Sequence, residues 1–371
     1  MIKQGHVGAL ELFATMTCAQ AFTLLYHLPN ALGKDAFTGA WLLNLLAGLL
    51  SLLVALAMFP LLRRFPGKSI IEIAETVLGR WGGALFSLVV AGFYFYMVSI
   101  TLRTQADGVV STIMLDTPVS AVMVAALAAV SVVSYLGLES LTRTVLIFFP
   151  FIALGFGIVI FFSLSDSDFN MLYPLMGAPL PNLLLSGGKF AFTAHECLFI
   201  MILAPYLRQP KTLFRVTFWS IIVVTGFSTL VLVVVESLLS YPAFQLATFP
   251  FYETVRLIHI GPFLQRVEAL YTIMEMIISM VYPGLAFHIG VLTLAQGWRL
   301  ADWRPLIFPS AVIIFSLGSL PKDALALWNW YFSAGNSLFR FALFVLLPIS
   351  LYFVAAVKGK KGGGQVEEAG G

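Results

Sequence analysis

At 371 residues, 60% of them hydrophobic and only 11% charged, with a mean hydropathy of +0.94, this chain is far from the roughly 25% charged residues of a soluble domain. A net charge of +3 gives no ground for a nucleic-acid partner. The two cysteines, Cys18 and Cys197, both sit in apolar segments and imply neither a disulfide framework nor a zinc site. Apolar runs of roughly 17–25 residues recur along the chain, each long enough to cross a ~30 Å hydrocarbon slab as a helix. The short alternation of membrane barrels is missing. The sequence therefore predicts an all-α polytopic membrane protein.

Ten spans are predicted, at residues 7–30, 38–62, 83–104, 118–136, 142–164, 183–207, 213–239, 264–292, 304–319 and 336–357. In the first, Lys3 and the Ala19-Gln20-Ala21 run imitate a signal peptide, but Glu11 interrupts the apolar stretch and the positive start is a single Lys. After the second span, Ser69-Ile70-Ile71-Glu72 reads as a capping box. Ile70, Ile71, Ala74, Val77 and Leu78 then share one face of a short interfacial helix. Tyr94, Tyr96, Met97 and Val98 lie near the middle of the third span, where they wall a cavity or simply pack against neighbours. Arg103, Lys189 and Arg340 fall in the outer parts of their spans, where long side chains are expected to snorkel to water.

The sixth span carries His195 and Glu196 side by side near mid-bilayer. A charged side chain there costs about 2.5–3.5 kcal/mol on insertion scales, so it faces a cavity, a partner or a pathway. A zinc-protease HExxH motif fails because Phe199 stands where the second His belongs. Glu196 can line a site, be protonated and bonded between helices, or relay a proton. The long connection 241–262 contains Phe251, Tyr252, Val255 and Ile258 on one helical face, with Glu253, Thr254 and Arg256 pointing elsewhere, as a lid or a plain linker. On the eighth span, Glu275 and Ser279 are one turn apart and share a face, making Glu275 a second proton-relay candidate. The tail, residues 358–371, has no apolar content and is expected to be disordered.

Basic residues orient the bundle. Lys3, Arg63, Arg64, Lys68, Arg80, Arg143, Arg208, Lys211, Arg215, Arg299, Arg304, Lys358, Lys360 and Lys361 mark one set of ends; Lys34, Arg256, Arg266 and Lys322 mark the other. Both termini are thus expected in the cytoplasm.

An internal echo suggests how the spans are organised. Thr17, Gln20 and Pro29 stand in the same relative positions as Thr193, Glu196 and Pro205, 176 residues on. Half the chain would hold five spans, an odd number, so two copies of one unit would be inverted relative to each other. The expected architecture is a 5+5 inverted repeat, about 7–164 and 183–357, within a single transmembrane domain 1–357. Its first and sixth helices would be interrupted at the midplane, where such folds bind substrate. Free N–H groups at a break suit a carboxylate and free C=O groups an ammonium, so a small zwitterion fits. The candidate binding residues are Thr17, Cys18, Ala19, Gln20 and Ala21, with Thr193, Ala194, His195 and Glu196, Tyr94, Met97 and Val98, and Ser279. Neither an enzymatic activity nor a cofactor or metal is implied.

The blocks RFPGKSIIEIAETVLGRWGG (64–83) and TFPFYETVRLIHIGPFLQRVEALY (248–271) resemble the spore-germination permeases, the B subunits of GerA-type nutrient receptors. That family lies in the amino acid–polyamine–organocation superfamily, whose fold is LeuT-like, and the resemblance runs from the first span through the tenth. It implies a subunit of the spore inner membrane that binds a nutrient germinant, often an amino acid. Its partners would be a membrane A subunit and a C-subunit lipoprotein, besides the surrounding membrane lipid. The family's acidic residue in the sixth span matches Glu196. The first-span small residues match Thr17 to Ala21 more loosely, because this chain lacks the glycine many permeases carry there. A proton-coupled amino-acid permease and a scaffold or channel component binding no small molecule are the competing readings.

Overall fold

The structure, a computed structural model, describes residues 5–26, 28–191, 196–247, 249–258, 267–322 and 324–360. Among them the backbone is almost wholly helical. The helices are α1 (Ala9–Leu25), α2 (Leu28–Ala36), α3 (Ala40–Arg64), α4 (Ile70–Leu78), α5 (Arg80–Thr112), α6 (Val119–Leu136) and α7 (Leu138–Ser165). There follow α8 (Leu180–Ala191), α9 (Glu196–Leu203), α10 (Leu213–Leu238), α11 (Tyr241–Leu246) and α12 (Pro250–Arg256). The last are α13 (Val267–Gly297), α14 (Ile307–Ser319), α15 (Ala324–Tyr331), α16 (Ala334–Phe341) and α17 (Leu347–Val357). Seven helical stretches are long and apolar enough to cross a membrane, and Arg304–Ser319 is a shorter apolar helix. With α1 and the α8–α9 pair, these fall on the ten predicted spans.

The first-span break lies later than the sequence reading placed it. Thr17 to Ala21 are inside the continuous helix α1, and the chain leaves helical geometry at Tyr26 (φ −111°, ψ −84°). Pro29 explains the shift. It has no N–H to donate to the carbonyl of Leu25 four residues back, and its ring collides with that carbonyl, so α1 ends there. Of the stretch predicted to interrupt the sixth span, Thr193 to Glu196, the first three residues lie outside the described residues and Glu196 begins α9.

α5 and α13 cross at the centre of the bundle. Gly290 lies against the Phe95 ring and Gly297 against Ser87; a Cβ at either glycine would collide. Small residues at these two points let the backbones approach closely. Around this pair, α1 packs on α7, α10 and α13, and α3 packs on α8 and α10. Asn44 of α3 joins α10 by donating Nδ2 to Ser228 Oγ (2.7 Å) and Thr229 Oγ1 (2.9 Å).

The capping box forms as predicted, with Ser69 accepting from the Glu72 N–H and Glu72 from the Ser69 N–H. One assignment on that helix is corrected: Leu78 is 46% exposed, while Ile73 is buried. The buried stripe follows Ile70, Ile73, Ala74 and Val77, the i, i+3, i+4, i+7 face that meets α5 and α13. The opening of the tail is also structured, since Lys358 and Lys360 donate to the carbonyls of Val77 and Thr76 at the end of α4.

The span cations do not snorkel. Arg103 pairs with Asp107 (2.9 Å) and donates to the carbonyls of Gly318, Pro321 and Lys322. Lys189 pairs with Asp35 (2.9 Å). Arg340 is fully buried, donating to the Tyr331 carbonyl (2.6 Å) with its guanidinium over the Tyr331 ring. Local partners hold all three, and only Arg340 is withdrawn from solvent entirely.

At one end of the bundle, an isolated parallel bridge joins the two halves. Val7 N–H donates to the Tyr206 carbonyl (2.9 Å), and Arg208 N–H donates to the Val7 carbonyl (3.0 Å).

Candidate functional site

Where α1 gives way to α2, a narrow cleft of about 20 Å³ lies between α5, α12 and α13. Tyr26 forms its inner wall, Gln105 comes from α5, and Thr272, Glu275 and Ser279 come from α13. The i, i+4 spacing predicted for Glu275 and Ser279 thus delivers both to one space. Gln105 Nε2 donates to Ser279 Oγ (2.7 Å), which leaves Gln105 Oε1 buried without a hydrogen-bond partner. The Tyr26 hydroxyl is directed at the Glu275 carboxyl and Ser279. Among the described residues lining the cleft there is no Lys or Arg, so Glu275 has no cationic partner there.

α12 roofs this cleft. Phe249 and Tyr252 line it, and the Phe249 ring meets Tyr26 edge-on at 5.7 Å. Phe251 is buried against Tyr271 (5.2 Å) and Phe156 (6.2 Å), and Val255 and Ile258 are buried beside it, as the shared face predicted. Thr254, expected to point elsewhere, is buried too; its hydroxyl is satisfied by the Pro250 carbonyl (2.9 Å). Asn30 of α2 anchors the roof from below by donating to the Ala247 carbonyl (2.7 Å).

A layer of rings seals the floor. Tyr26 contacts Phe22 (5.0 Å), Phe22 contacts Tyr282 (5.7 Å), Tyr282 contacts Phe199 (6.0 Å), and Phe199 contacts Tyr94 (4.9 Å). The layer spans α1, α13, α9 and α5, the first, eighth, sixth and third spans. Its buried rings close the cleft toward the end of the bundle that holds α4.

The predicted site residues separate into groups. Glu275 and Ser279 line the cleft, and Tyr94 sits in the floor with Met97 and Val98 buried nearby on α5. Thr17, Cys18 and Ala21 face the other way, into an apolar groove between α7 and α10. Ala19 is buried, and Gln20 donates to Ser220 of α10 (3.4 Å). Thr193, Ala194 and His195 lie outside the described residues, and Glu196 opens α9. Sequence reasoning missed Tyr26 and Gln105. The signals were present: Pro29 places the break four residues upstream, and Gln105 is a polar residue just past the assumed end of a helix that in fact continues to Thr112.

The fold is that of a polytopic, helical membrane protein of LeuT-like architecture. It superposes on Mhp1, a nucleobase-cation-symport-1 family transporter in a closed conformation with bromovinylhydantoin bound. The TM-score is 0.71 at 13% identity, covering 95% of this chain and 79% of that one. Within that class the sequence is more specific. The family model described as spore germination protein matches residues 12–324, and the chain belongs to that family. It is 23% identical to spore germination protein YndE of Bacillus subtilis, over 85% of this chain and 86% of that one. It is 22% identical to spore germination protein B2 of the same organism, over 92% of each chain.

Proposed function

We propose that this chain is the germinant-sensing subunit of a spore germination receptor in the spore inner membrane, and that it binds a small zwitterion, an amino acid, beneath α12. One observation carries the reading: the Glu275 carboxyl and the unpartnered Gln105 oxygen converge in a roofed cleft with no competing cation among its described lining residues. Both are acceptors, which suits an ammonium group. At about 20 Å³ the cleft is too small for an amino acid as it stands, so ligand binds a state in which the cleft has widened beneath α12 and shifts the population toward it, which is the form a signal takes here. An A-type membrane subunit and a C-type lipoprotein would receive that signal, with both termini of this chain in the cytoplasm.

The test is the germination dose–response of spores carrying Glu275→Gln. Loss of a charge-assisted hydrogen bond should raise the amino-acid concentration required by roughly 10- to 100-fold. An unchanged response would overturn the assignment. A second reading, a proton-coupled amino-acid permease with Glu275 or Glu196 as proton carrier, is favoured by the same half-buried carboxyl. Accumulation of labelled amino acid in liposomes under a pH gradient, abolished by Glu275→Gln, would support it over the sensor.

A further inference from the structure

Between the ends of α3 and α10, on the side of the bundle that carries α4, lies a recess of about 390 Å³ that amino-acid sensing does not use. Its walls are apolar, with Phe59 and Leu62 from α3, Phe65, and Phe214 from α10. Its rim is basic: Arg63, Lys68 and Lys211 line it, and no Asp or Glu does among the described residues. Lys68 donates to Thr76 Oγ1 (3.3 Å), while Arg63 and Lys211 make no ion pair among the described residues and are exposed. The recess beside α4 and α13 differs in kind, because there Glu75 neutralises Arg299.

Three uncompensated cations around an apolar hollow match a molecule with a phosphate at one end and hydrocarbon at the other. The hollow is continuous with the membrane-facing surface. Phe59 meets Phe214 at 5.2 Å, Phe214 meets Phe218 at 6.2 Å, and Phe218 meets Trp219 at 5.5 Å, with Phe214 and Trp219 exposed. We propose that the recess binds an anionic phospholipid, its phosphate among Arg63, Lys68 and Lys211 and its chains along this column of rings. Basic hollows at the membrane boundary between spanning helices recognise head groups in this way. Ala204, Pro210 and Leu213 also line the recess, so the lipid touches the connection from α9 to α10 and steadies the end of the sixth span.

Purified protein in neutral detergent is titrated with phosphatidylglycerol, phosphatidylcholine or water-soluble glycerol phosphate while the thermal unfolding midpoint is followed. Only phosphatidylglycerol should raise it saturably. The double substitution Arg63→Gln with Lys211→Gln should weaken that effect roughly 30-fold, about fivefold per basic side chain. Lys34→Gln with Arg256→Gln, at the opposite end, should leave it unchanged. If the first double variant does not fold, photoactivatable phosphatidylglycerol on the wild-type protein should label residues 59–68 and 204–214. Equal stabilisation by phosphatidylcholine, insensitivity of the Arg63 and Lys211 variant, or labelling elsewhere would overturn the proposal. Equal stabilisation by glycerol phosphate would overturn it in favour of a soluble phosphate site.

Discussion

Gly290 shows how single atoms set the spacing of the bundle. A Cβ placed there would lie 2.6 Å from the Phe95 ring, on the face where α13 meets α5. Neither side can retreat, since Phe95 is itself packed against Phe287 and both helices are buried at this level. Gly290→Ala should therefore destabilise the protein by about 1–3 kcal/mol, the usual penalty of overpacking, read as a lower unfolding midpoint in detergent. Gly92, whose added Cβ meets nothing within 4 Å, provides the matched control; Gly92→Ala should leave the midpoint unchanged or raise it slightly. Residue-scale reasoning from sequence failed where a turn supplied the partner. Arg340 looked like a snorkelling cation because the span pattern does not show the turn after α15 that brings the Tyr331 carbonyl and ring, nine residues back, onto its guanidinium.

At the scale of elements, the roof is the part whose behaviour follows most directly from its attachments. α12 is short and rests on rings, and its approach is tied to α2 by the Asn30 amide and the Ala247 carbonyl. Asn30→Ala removes that tie without touching the cleft lining. It should weaken amino-acid binding by about fivefold, the worth of one hydrogen bond, visible as a parallel shift of the germination dose–response. An unshifted curve would mean that the aromatic contacts alone hold the roof. Much of this scale was legible in the sequence. The Ser69 capping box and the apolar face of α12 are local patterns, and local patterns survive folding. The first-span break was legible only in part: the echo at Thr17, Gln20 and Pro29 located the right helix, but the physics of the break belongs to the proline, whose effect falls on Leu25 rather than on the small residues. Thr17 to Ala21 were read together as the interrupted stretch, and only the packing of α7 and α10 decided that Thr17, Cys18 and Ala21 look away from the cleft.

At the scale of the whole molecule, the start of the first span and the end of the sixth are fastened together by the hydrogen bonds at Val7, Tyr206 and Arg208. Any rearrangement that separates α1 from α9 at this end must break both. These two bonds are made by main-chain atoms and do not depend on side-chain identity, although the Arg208 guanidinium adds a bond of its own to the His6 carbonyl (3.2 Å). Val7→Ala should leave germination intact, whereas Val7→Pro, which deletes the donor to Tyr206, should shift the dose–response or cause germination without nutrient. Equal behaviour of the two variants would show that the fastening is idle. Such a clasp can outlast extensive drift in the letters at either position, with proline the one residue able to undo it. A comparison of distant relatives letter by letter would therefore pass over it, while a count of tolerated prolines would find it.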